Sequence, residues 1–441
     1  MPAHPSTRPS APGRIVPSNR PVSLSLGMVA LLALSGPALA QSAPAAHAEG
    51  GNTAWMLTAT ALVLLMSLPG VALFYGGMVR SKNVLSTMTQ TIAIAAVVTL
   101  TWMVAGYSLA LRPGTPFLGG LDRLFLEGLQ AEGLAGGAVP ETVYVMFQLT
   151  FAIITTALVP GAFAERMKFS AVLLFAALWS VLVYAPVAHW VWEPGGWLAA
   201  LGALDYAGGT VVHINAGVAG LVCALVLGPR QGFGREPMTP HNLTLTLSGA
   251  ALLWVGWYGF NAGSALAADS HAGMAMLVTQ MAAATAAVTW MAVEWMLRGR
   301  PSALGLVSGA VGGLVAITPA AGYVSPSSAL LIGLAAGAGC YIASTSLKRM
   351  LGYDDALDAF GIHGVGGIIG ALLTGLLASP AIGGSAGRMS AQLAGVGATV
   401  AYSALMTLIV LGIVQVITGL RVDATTEADG LDIAEHGEAL D

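Results

Sequence analysis

The sequence predicts an all-α polytopic membrane protein, with eleven transmembrane helices arranged as a five-plus-five inverted repeat. Three observations support this fold class: an apolar composition, eleven apolar segments of about spanning length, and one histidine motif that occurs twice. Of the 441 residues, 56% are hydrophobic and only 9% are charged, whereas soluble proteins carry about 25% charged residues. The net charge of −4 argues against nucleic acid as a partner.

Residues 1–40 are predicted to be a cleavable signal peptide. Its basic leader, apolar core and small-residue cleavage site are Arg8 to Arg20, residues 24–34 and Ala38-Leu39-Ala40. These three parts in this order are typical of a secretory signal. The alternative is an additional transmembrane helix, but the apolar core is short for a span of about 20 residues. We therefore expect the mature chain to begin near Gln41.

Eleven apolar segments follow and form one membrane domain over residues 41–420. Each is long enough, or nearly long enough, to cross a bilayer. The eighth is the least secure, because it is short and ends at Pro319. The segments lie near residues 53–78, 84–111, 142–163, 169–190, 209–228, 241–266, 273–297, 303–319, 327–347, 361–379 and 391–419.

The positions of lysine and arginine predict the orientation of these spans. If the mature amino terminus is outside, the segments on the cytoplasmic side hold eleven basic residues. The outer loops then hold only Arg112, Arg123 and Arg388. This excess is the positive-inside pattern. We therefore expect the amino terminus outside and the carboxyl terminus in the cytoplasm.

The fifth and tenth segments repeat one motif, in which an acid precedes a histidine and glycines follow it at plus four and plus seven. The residues are Asp205, His213, Gly217 and Gly220 in the first copy, and Asp358, His363, Gly367 and Gly370 in the second. Two blocks of five spans enter the membrane from opposite sides, which predicts an inverted repeat whose equivalent residues meet near the midplane. A histidine within a span is expected to face a polar interior. The alternative is that it only forms a hydrogen bond between packed helices.

Six strings of the sequence carry a family resemblance. They are Pro69–Gly77, Phe147–Phe151, Gly161–Arg166, Ala188–Trp192, Leu204–Gly220 and Trp254–Ser264. Together they closely resemble the ammonium transporter family, most nearly its bacterial members, from about residue 53 to the carboxyl terminus. The resemblance implies a homotrimer in the bacterial inner membrane, in which each eleven-helix subunit has its own narrow, mostly apolar pore.

The resemblance also implies roles for eight residues of the path. The outer ammonium-recruiting site is Phe151, Trp192 and Ser264, with Asp205 behind it; the gate is Phe151 with Phe260; the pore residues are His213, His363 and Trp257. Aromatic faces attract a cation. A serine oxygen accepts a hydrogen bond from an N–H group, which ammonium has and potassium lacks. Two neutral imidazoles sharing one hydrogen bond suit either the guidance of ammonia or the relay of a proton.

Each of these residues also has a structural interpretation that the residues alone leave open. Aromatic side chains at helical spacing are more often core than gate, and Trp192 is equally an interfacial anchor. Asp205 suits a helix cap before Gly208-Gly209, and Ser264 suits a small packing residue. The sequence departs from the family's pattern at Glu193-Pro194, directly after Trp192. The added acid and proline leave the shape of the outer entrance open, and we expect the Glu193 charge to be exposed.

Residues 421–441 are predicted to be a cytoplasmic regulatory tail. Gly430-Leu431-Asp432 and His436-Gly437-Glu438 resemble the tail through which the family meets a PII-type signalling protein. Composition alone favours disorder instead.

The resemblance implies an ammonium transporter without a cofactor that moves ammonium-derived nitrogen inward, in contact with membrane lipid. One alternative is a Rhesus-type ammonia or carbon dioxide channel. Trp192 and Ser264 argue against it, because that branch generally lacks this outer site. A second is an ammonium sensor with little transport, which is usually followed by a folded signalling domain of 50 or so residues and upward. An enzyme is not expected, because the sequence contains no evident cluster of a nucleophile with a base or of metal ligands.

Overall fold

The computed structural model describes residues 48–136 and 139–440. The predicted signal peptide lies outside these described residues. Within them the regular structure is helical, apart from a small antiparallel pair of strands, β1 (Leu134–Ala135) and β2 (Val139–Pro140). The chain is therefore a multi-pass, mostly helical membrane protein, as the composition predicts.

Ten helices of the described part are long and apolar enough to cross a membrane, and an eleventh is shorter. In chain order they are α1 (Gly50–Met78), α2 (Ser81–Leu111), α3 (Glu141–Phe163), α4 (Phe169–Leu201), α5 (Gly209–Leu227), α6 (Leu243–Gly263), α7 (Ser270–Arg298), α8 (Ala303–Ile317), α9 (Pro326–Leu351), α10 (Phe360–Leu377) and α11 (Met389–Ile417). Each of the eleven predicted segments coincides with one of these helices.

The short helix is α8, which corresponds to the eighth predicted segment. Its 15 residues reach about 22 Å at 1.5 Å per residue, less than the roughly 30 Å of a bilayer core. The Ser302 side chain caps its start by accepting from the Gly305 N–H. Most of α8 is buried, so its neighbours rather than lipid surround it.

Six of the spans contain a π-helical turn, in which one extra residue widens the helix. These turns are Met66–Val71, Trp102–Gly106, Ser180–Tyr184, Gly209–Ile214, Ala343–Leu347 and Phe360–Gly364. Turns of this kind are frequent at functional sites. The fourth and ninth spans each have one, and so do the fifth and tenth, where the π turns contain His213 and His363.

Glycines bring α5 and α10 close together, as the repeated motif predicts. A Cβ added to Gly217 would overlap the backbone of Gly364, and one added to Gly370 would overlap the carbonyl of Ala316 on α8. A Cβ on Gly367 would lie 3.0 Å from the carbonyl oxygen of Gly209. The small residues therefore set the distance between the two histidine helices.

We call the end of the bundle that carries Trp192 and Ser264 the outer end, and the opposite end, which carries Arg166 and Arg421, the inner end. The tail forms two short helices at the inner end, α12 (Ala424–Asp429) and α13 (Leu431–His436). The Asp432 carboxylate accepts the Ser86 N–H at 2.7 Å, and Glu435 accepts the Phe169 N–H at 2.9 Å. Tail carboxylates thus cap the starts of α2 and α4.

Candidate functional site

A cavity of ≈ 140 Å³ opens at the outer end of the bundle. We call it the outer cavity; its lining is Tyr144, Phe147, Gln148, Phe151, Trp192, Tyr206, Ser264 and Leu266. Three of the predicted recruiting residues, Phe151, Trp192 and Ser264, therefore meet in one place. The sequence predicts no role for Tyr144, Phe147, Gln148, Tyr206 or Leu266.

Ring contacts and hydrogen bonds hold the side chains that line this cavity. The Trp192 ring meets Phe151 edge-on, at a centroid distance of 5.6 Å and an angle of 86°. The Trp192 indole N–H donates to the backbone oxygen of Asp205 at 3.0 Å. Ser264 follows the last residue of α6, and its hydroxyl donates to the carbonyl of Phe260 at 2.9 Å. Ser264 Oγ therefore has only acceptor capacity left for a ligand.

Two stacked phenylalanines separate the outer cavity from the interior. The Phe151 and Phe260 rings lie 4.2 Å apart at an angle of 21°. Both side chains are completely buried or nearly so. Phe260 in turn lies 6.0 Å from the His213 ring. The predicted pair thus fills the space between the outer cavity and the histidines.

His213 and His363 are in contact below the phenylalanines. Their Nδ1 atoms are 3.3 Å apart, and the rings lie 5.3 Å apart at an angle of 20°. One Nδ1 must donate and the other accept, so two neutral rings here differ in tautomer. Trp257 stacks on His213 at 5.4 Å, and its indole N–H donates to Thr318 Oγ1 at 2.9 Å.

A narrow apolar cavity of about 10 Å³ adjoins the two histidines. Its lining is Met66, Val71, Phe74, Tyr75, Ile154, Leu158, His213, Leu253, Trp257, Val311 and His363. His213 Nε2 is buried without a hydrogen-bond partner among the described residues. Apart from the histidines, the side chains here are mostly hydrocarbon or aromatic, so the space suits a small neutral molecule better than an ion.

Asp205 does not line the outer cavity; it lies behind it as a helix cap. Its carboxylate accepts the backbone N–H groups of Gly208 and Gly209 at 2.7 and 2.6 Å, and that of Thr210 at 2.8 Å. The Thr210 hydroxyl also donates to it. The side chain therefore anchors the start of α5, while its backbone oxygen holds Trp192.

The second repeat has an acid in the same position, and it is Asp355. Asp355 precedes His363 by eight residues, as Asp205 precedes His213. Its carboxylate accepts the N–H groups of Ala359 and Phe360 at 3.0 and 2.8 Å. The prediction that Asp358 is the equivalent acid is therefore wrong. Asp358 contacts Lys348 at 2.5 Å.

Charged side chains at the inner end shift each other's pKa values. Burial, together with the neighbouring Asp358 carboxylate, raises the pKa of Asp355 to about 6. Burial acts in the same direction on Asp354, but the hydrogen bonds and charge of Arg230 outweigh it and hold the pKa of Asp354 below its usual range. The two acids are neighbours in sequence, yet only Asp354 has a guanidinium partner at 2.8 Å.

Glu193 is buried, contrary to the expectation of an exposed charge, with 7% of its surface accessible. Its carboxylate accepts the Gly195 N–H at 2.5 Å and so closes the turn after Trp192. Glu193 does not line the outer cavity. Among the described residues, no group of three or more His, Cys, Asp or Glu side chains is placed to hold a metal ion.

Residues 54–440 match the family model described as "Ammonium Transporter Family". An ammonium transporter of Bacillus subtilis (strain 168) is 48% identical over 398 residues, which cover 88% of this chain and 98% of the relative. One of Aquifex aeolicus (strain VF5) is 50% identical over 404 residues, covering 89% and 94% of the two chains.

Solved structures show the same fold. The crystal structure of Saccharomyces cerevisiae Mep2 superimposes with a TM-score of 0.81 at 37% identity, over 86% of this chain and 89% of that chain. A structure titled "Sensor Amt Protein" gives a TM-score of 0.81 at 30% identity, over 88% and 98% of the two chains.

Proposed function

The chain belongs to the ammonium transporter family, and from this premise we propose that it conducts ammonium-derived nitrogen inward across a bacterial inner membrane. The proposed path enters at the outer cavity, passes the Phe151–Phe260 stack and continues beside His213 and His363. The ion is recruited outside as ammonium, loses a proton, and crosses the apolar part of the path as ammonia.

One observation carries this proposal: the outer cavity, the phenylalanine stack and the histidine pair follow each other in a continuous chain of ring contacts. Phe151 lines the outer cavity and stacks on Phe260 at 4.2 Å, and Phe260 lies 6.0 Å from His213. His213 then contacts His363. A path of this form has cation-attracting faces at its entrance and apolar walls beyond it.

The chemistry of the residues fits each step. The faces of Phe151 and Trp192 attract a cation by about 0.5–2 kcal/mol, and Ser264 Oγ accepts a hydrogen bond from one of its N–H groups. An intact ion in the apolar segment costs several kcal/mol after relaxation, and separation into ammonia and a proton removes that cost for the ammonia. The histidine pair supplies a donor and an acceptor along the path, for either ammonia or the proton.

We extend the proposal to orientation, assembly and regulation. The excess of basic residues at the inner end supports an inner end in the cytoplasm. By the family resemblance, three copies assemble as a homotrimer, and the tail with α12 and α13 meets a PII-type signalling protein. Tail carboxylates that cap α2 and α4 give such a partner a direct mechanical link to the spans.

The experiment that tests transport is a current measurement on a solid-supported membrane carrying the purified protein. An ammonium jump is compared with a potassium jump, and both are repeated on the variant His213→Ala with His363→Ala. We expect a current with ammonium only, and its loss in the double variant. A protein without the mutations in the same membrane preparation serves as the reference.

If the ammonium jump gives no current, a second assay distinguishes two explanations. A pH-sensitive dye inside vesicles then reports whether neutral ammonia enters, because ammonia takes up protons and makes the interior more alkaline. Alkalinisation favours a Rhesus-type channel. Silence in both assays contradicts transport and favours a sensor, a role that the similarity to the structure titled "Sensor Amt Protein" makes worth testing.

A further inference from the structure

Two polar atoms in the outer cavity have no assigned function and no partner. Gln148 Oε1 and Tyr206 Oη are both buried, and neither has a hydrogen-bond partner among the described residues. Both residues line the outer cavity. A buried acceptor without a partner is costly, roughly 1–3 kcal/mol. Such an atom in a residue that lines a cavity can gain its missing hydrogen bond from a ligand bound there.

Gln148 lies in the part of the cavity wall that α3 forms. It lies on α3 between Phe147 and Phe151, one helical turn before the latter, and only 9% of its surface is accessible. Phe147 and Phe151 also contact each other, with centroids 4.9 Å apart. The amide therefore stands beside the ring that the proposed function assigns to cation recruitment.

Ser264 contributes its oxygen from a different helix, at the end of α6. Its hydroxyl proton is already donated to the Phe260 carbonyl, so its oxygen can only accept. Gln148 on α3 and Ser264 after α6 both line this small volume, and each has an oxygen free to accept a hydrogen bond. An ammonium ion has four N–H donors and can satisfy both acceptors at once; a potassium ion has none.

We propose that Gln148 is a specificity-determining residue whose Oε1 accepts a hydrogen bond from ammonium in the outer cavity, together with Ser264 Oγ. The inference rests on the proposed function and deepens it, because it names a second hydrogen-bond acceptor for the ion. Methylammonium keeps three N–H donors, but its methyl group occupies part of the same small volume and keeps the N–H groups from reaching both acceptors at once. A neutral amide is suited to this task, since a carboxylate attracts any small cation.

The test compares transport of ammonium and methylammonium by the full chain and the variants Gln148→Leu and Gln148→Glu. A hydrogen bond to a charged group is worth about 1.5–3 kcal/mol, and 1.4 kcal/mol corresponds to tenfold. We therefore expect Gln148→Leu to raise the KM for ammonium about tenfold or more, with the maximal current changed less than about twofold. The KM for methylammonium should rise less than about threefold, so the preference for ammonium falls.

Gln148→Glu keeps the shape and the acceptor, so it should retain a low KM for ammonium. The matched control is Thr150→Val on the same helix, because the Thr150 hydroxyl donates to Phe147 within α3 and the residue does not line the cavity. This variant should leave both KM values unchanged. The control also reports whether a substitution in this part of α3 disturbs the fold.

Three results would overturn the inference while leaving transport intact. They are an unchanged KM for ammonium in Gln148→Leu, an equal rise of both KM values, or a rise in Gln148→Glu as large as in Gln148→Leu. If Gln148→Leu does not fold, Gln148→Met, which keeps the length of the side chain without the amide acceptor, takes its place, and an unchanged KM for ammonium in that variant overturns the inference. A wild-type protein silent in both the current and dye assays would instead contradict the proposed function itself.

Discussion

The carboxylate of Asp355 caps the start of α10 in the way that the carboxylate of Asp205 caps the start of α5. Each accepts the N–H groups four and five residues ahead of it. In both helices a π turn then begins and contains the histidine. The shared local structure supports the inverted repeat that the sequence predicts. The two acids differ in their surroundings, since Asp205 lies behind the outer cavity and Asp355 lies among the charges of the inner end.

That difference yields a prediction for the two caps. Asp205→Ala and Asp355→Ala each leave buried N–H groups without an acceptor, and loss of a cap costs about 0.5–2 kcal/mol. Both variants should therefore show a lower midpoint of thermal unfolding in detergent. Only Asp205→Ala should also raise the KM for ammonium, because loss of the carboxylate loosens the turn whose backbone oxygen at position 205 holds Trp192. Equal effects on KM would contradict the assignment of Asp205 to the outer site.

The histidine pair predicts a strongly non-additive response to mutation. Because the Nδ1 atoms share one hydrogen bond, removing either ring removes the same interaction. His213→Ala, His363→Ala and the double variant should lose ammonium current by similar factors, and the logarithms of the losses should not add. The solid-supported membrane measurement checks this. Additive losses would mean that the two rings act at separate steps.

The contact of Gly217 with the backbone of Gly364 predicts intolerance of any side chain there. Gly217→Ala should destabilise the protein by about 1–3 kcal/mol, the usual cost of overpacking, and should disturb the histidine pair. Gly397→Ala on α11 is the matched control, because no atom lies within 4 Å of a Cβ built there. That variant should be neutral or stabilising by up to about 1 kcal/mol. Thermal unfolding of the two variants decides the point.

Much of the fold could be predicted from the sequence because lipid imposes long apolar runs on every span. The eleven segments and the close approach at Gly217 and Gly370 are read directly from local pattern. The pairing of His213 with His363 also follows from the repeat, since the motif recurs at a fixed separation. Asp355 lies at the same separation from Asp205 as His363 does from His213, so the sequence alone was sufficient to identify this acid.

Other features depend on three-dimensional contacts that no local pattern contains. The carboxylate of Glu193 accepts the Gly195 N–H, and the turn after Trp192 brings these two groups together and buries Glu193. Gln148 lies within a family-like string, but its unpartnered oxygen is visible only once α3 and α6 pack together. The folded tail is a further case, because its polar composition favours disorder, whereas Glu427, Asp432 and Glu435 accept backbone N–H groups of distant segments.

The tail contacts give the last prediction. Asp432→Ala removes the acceptor for the Leu85 and Ser86 N–H groups, which it now receives at 3.0 and 2.7 Å. The tail should then separate from the inner end more often, and limited proteolysis should cut after residue 421 faster, while the spans stay intact. Glu438→Ala is the control, because Glu438 is exposed and its side chain caps no span. If Asp432→Ala is cut no faster than Glu438→Ala, other contacts such as that of Glu435 with the Phe169 N–H hold the tail.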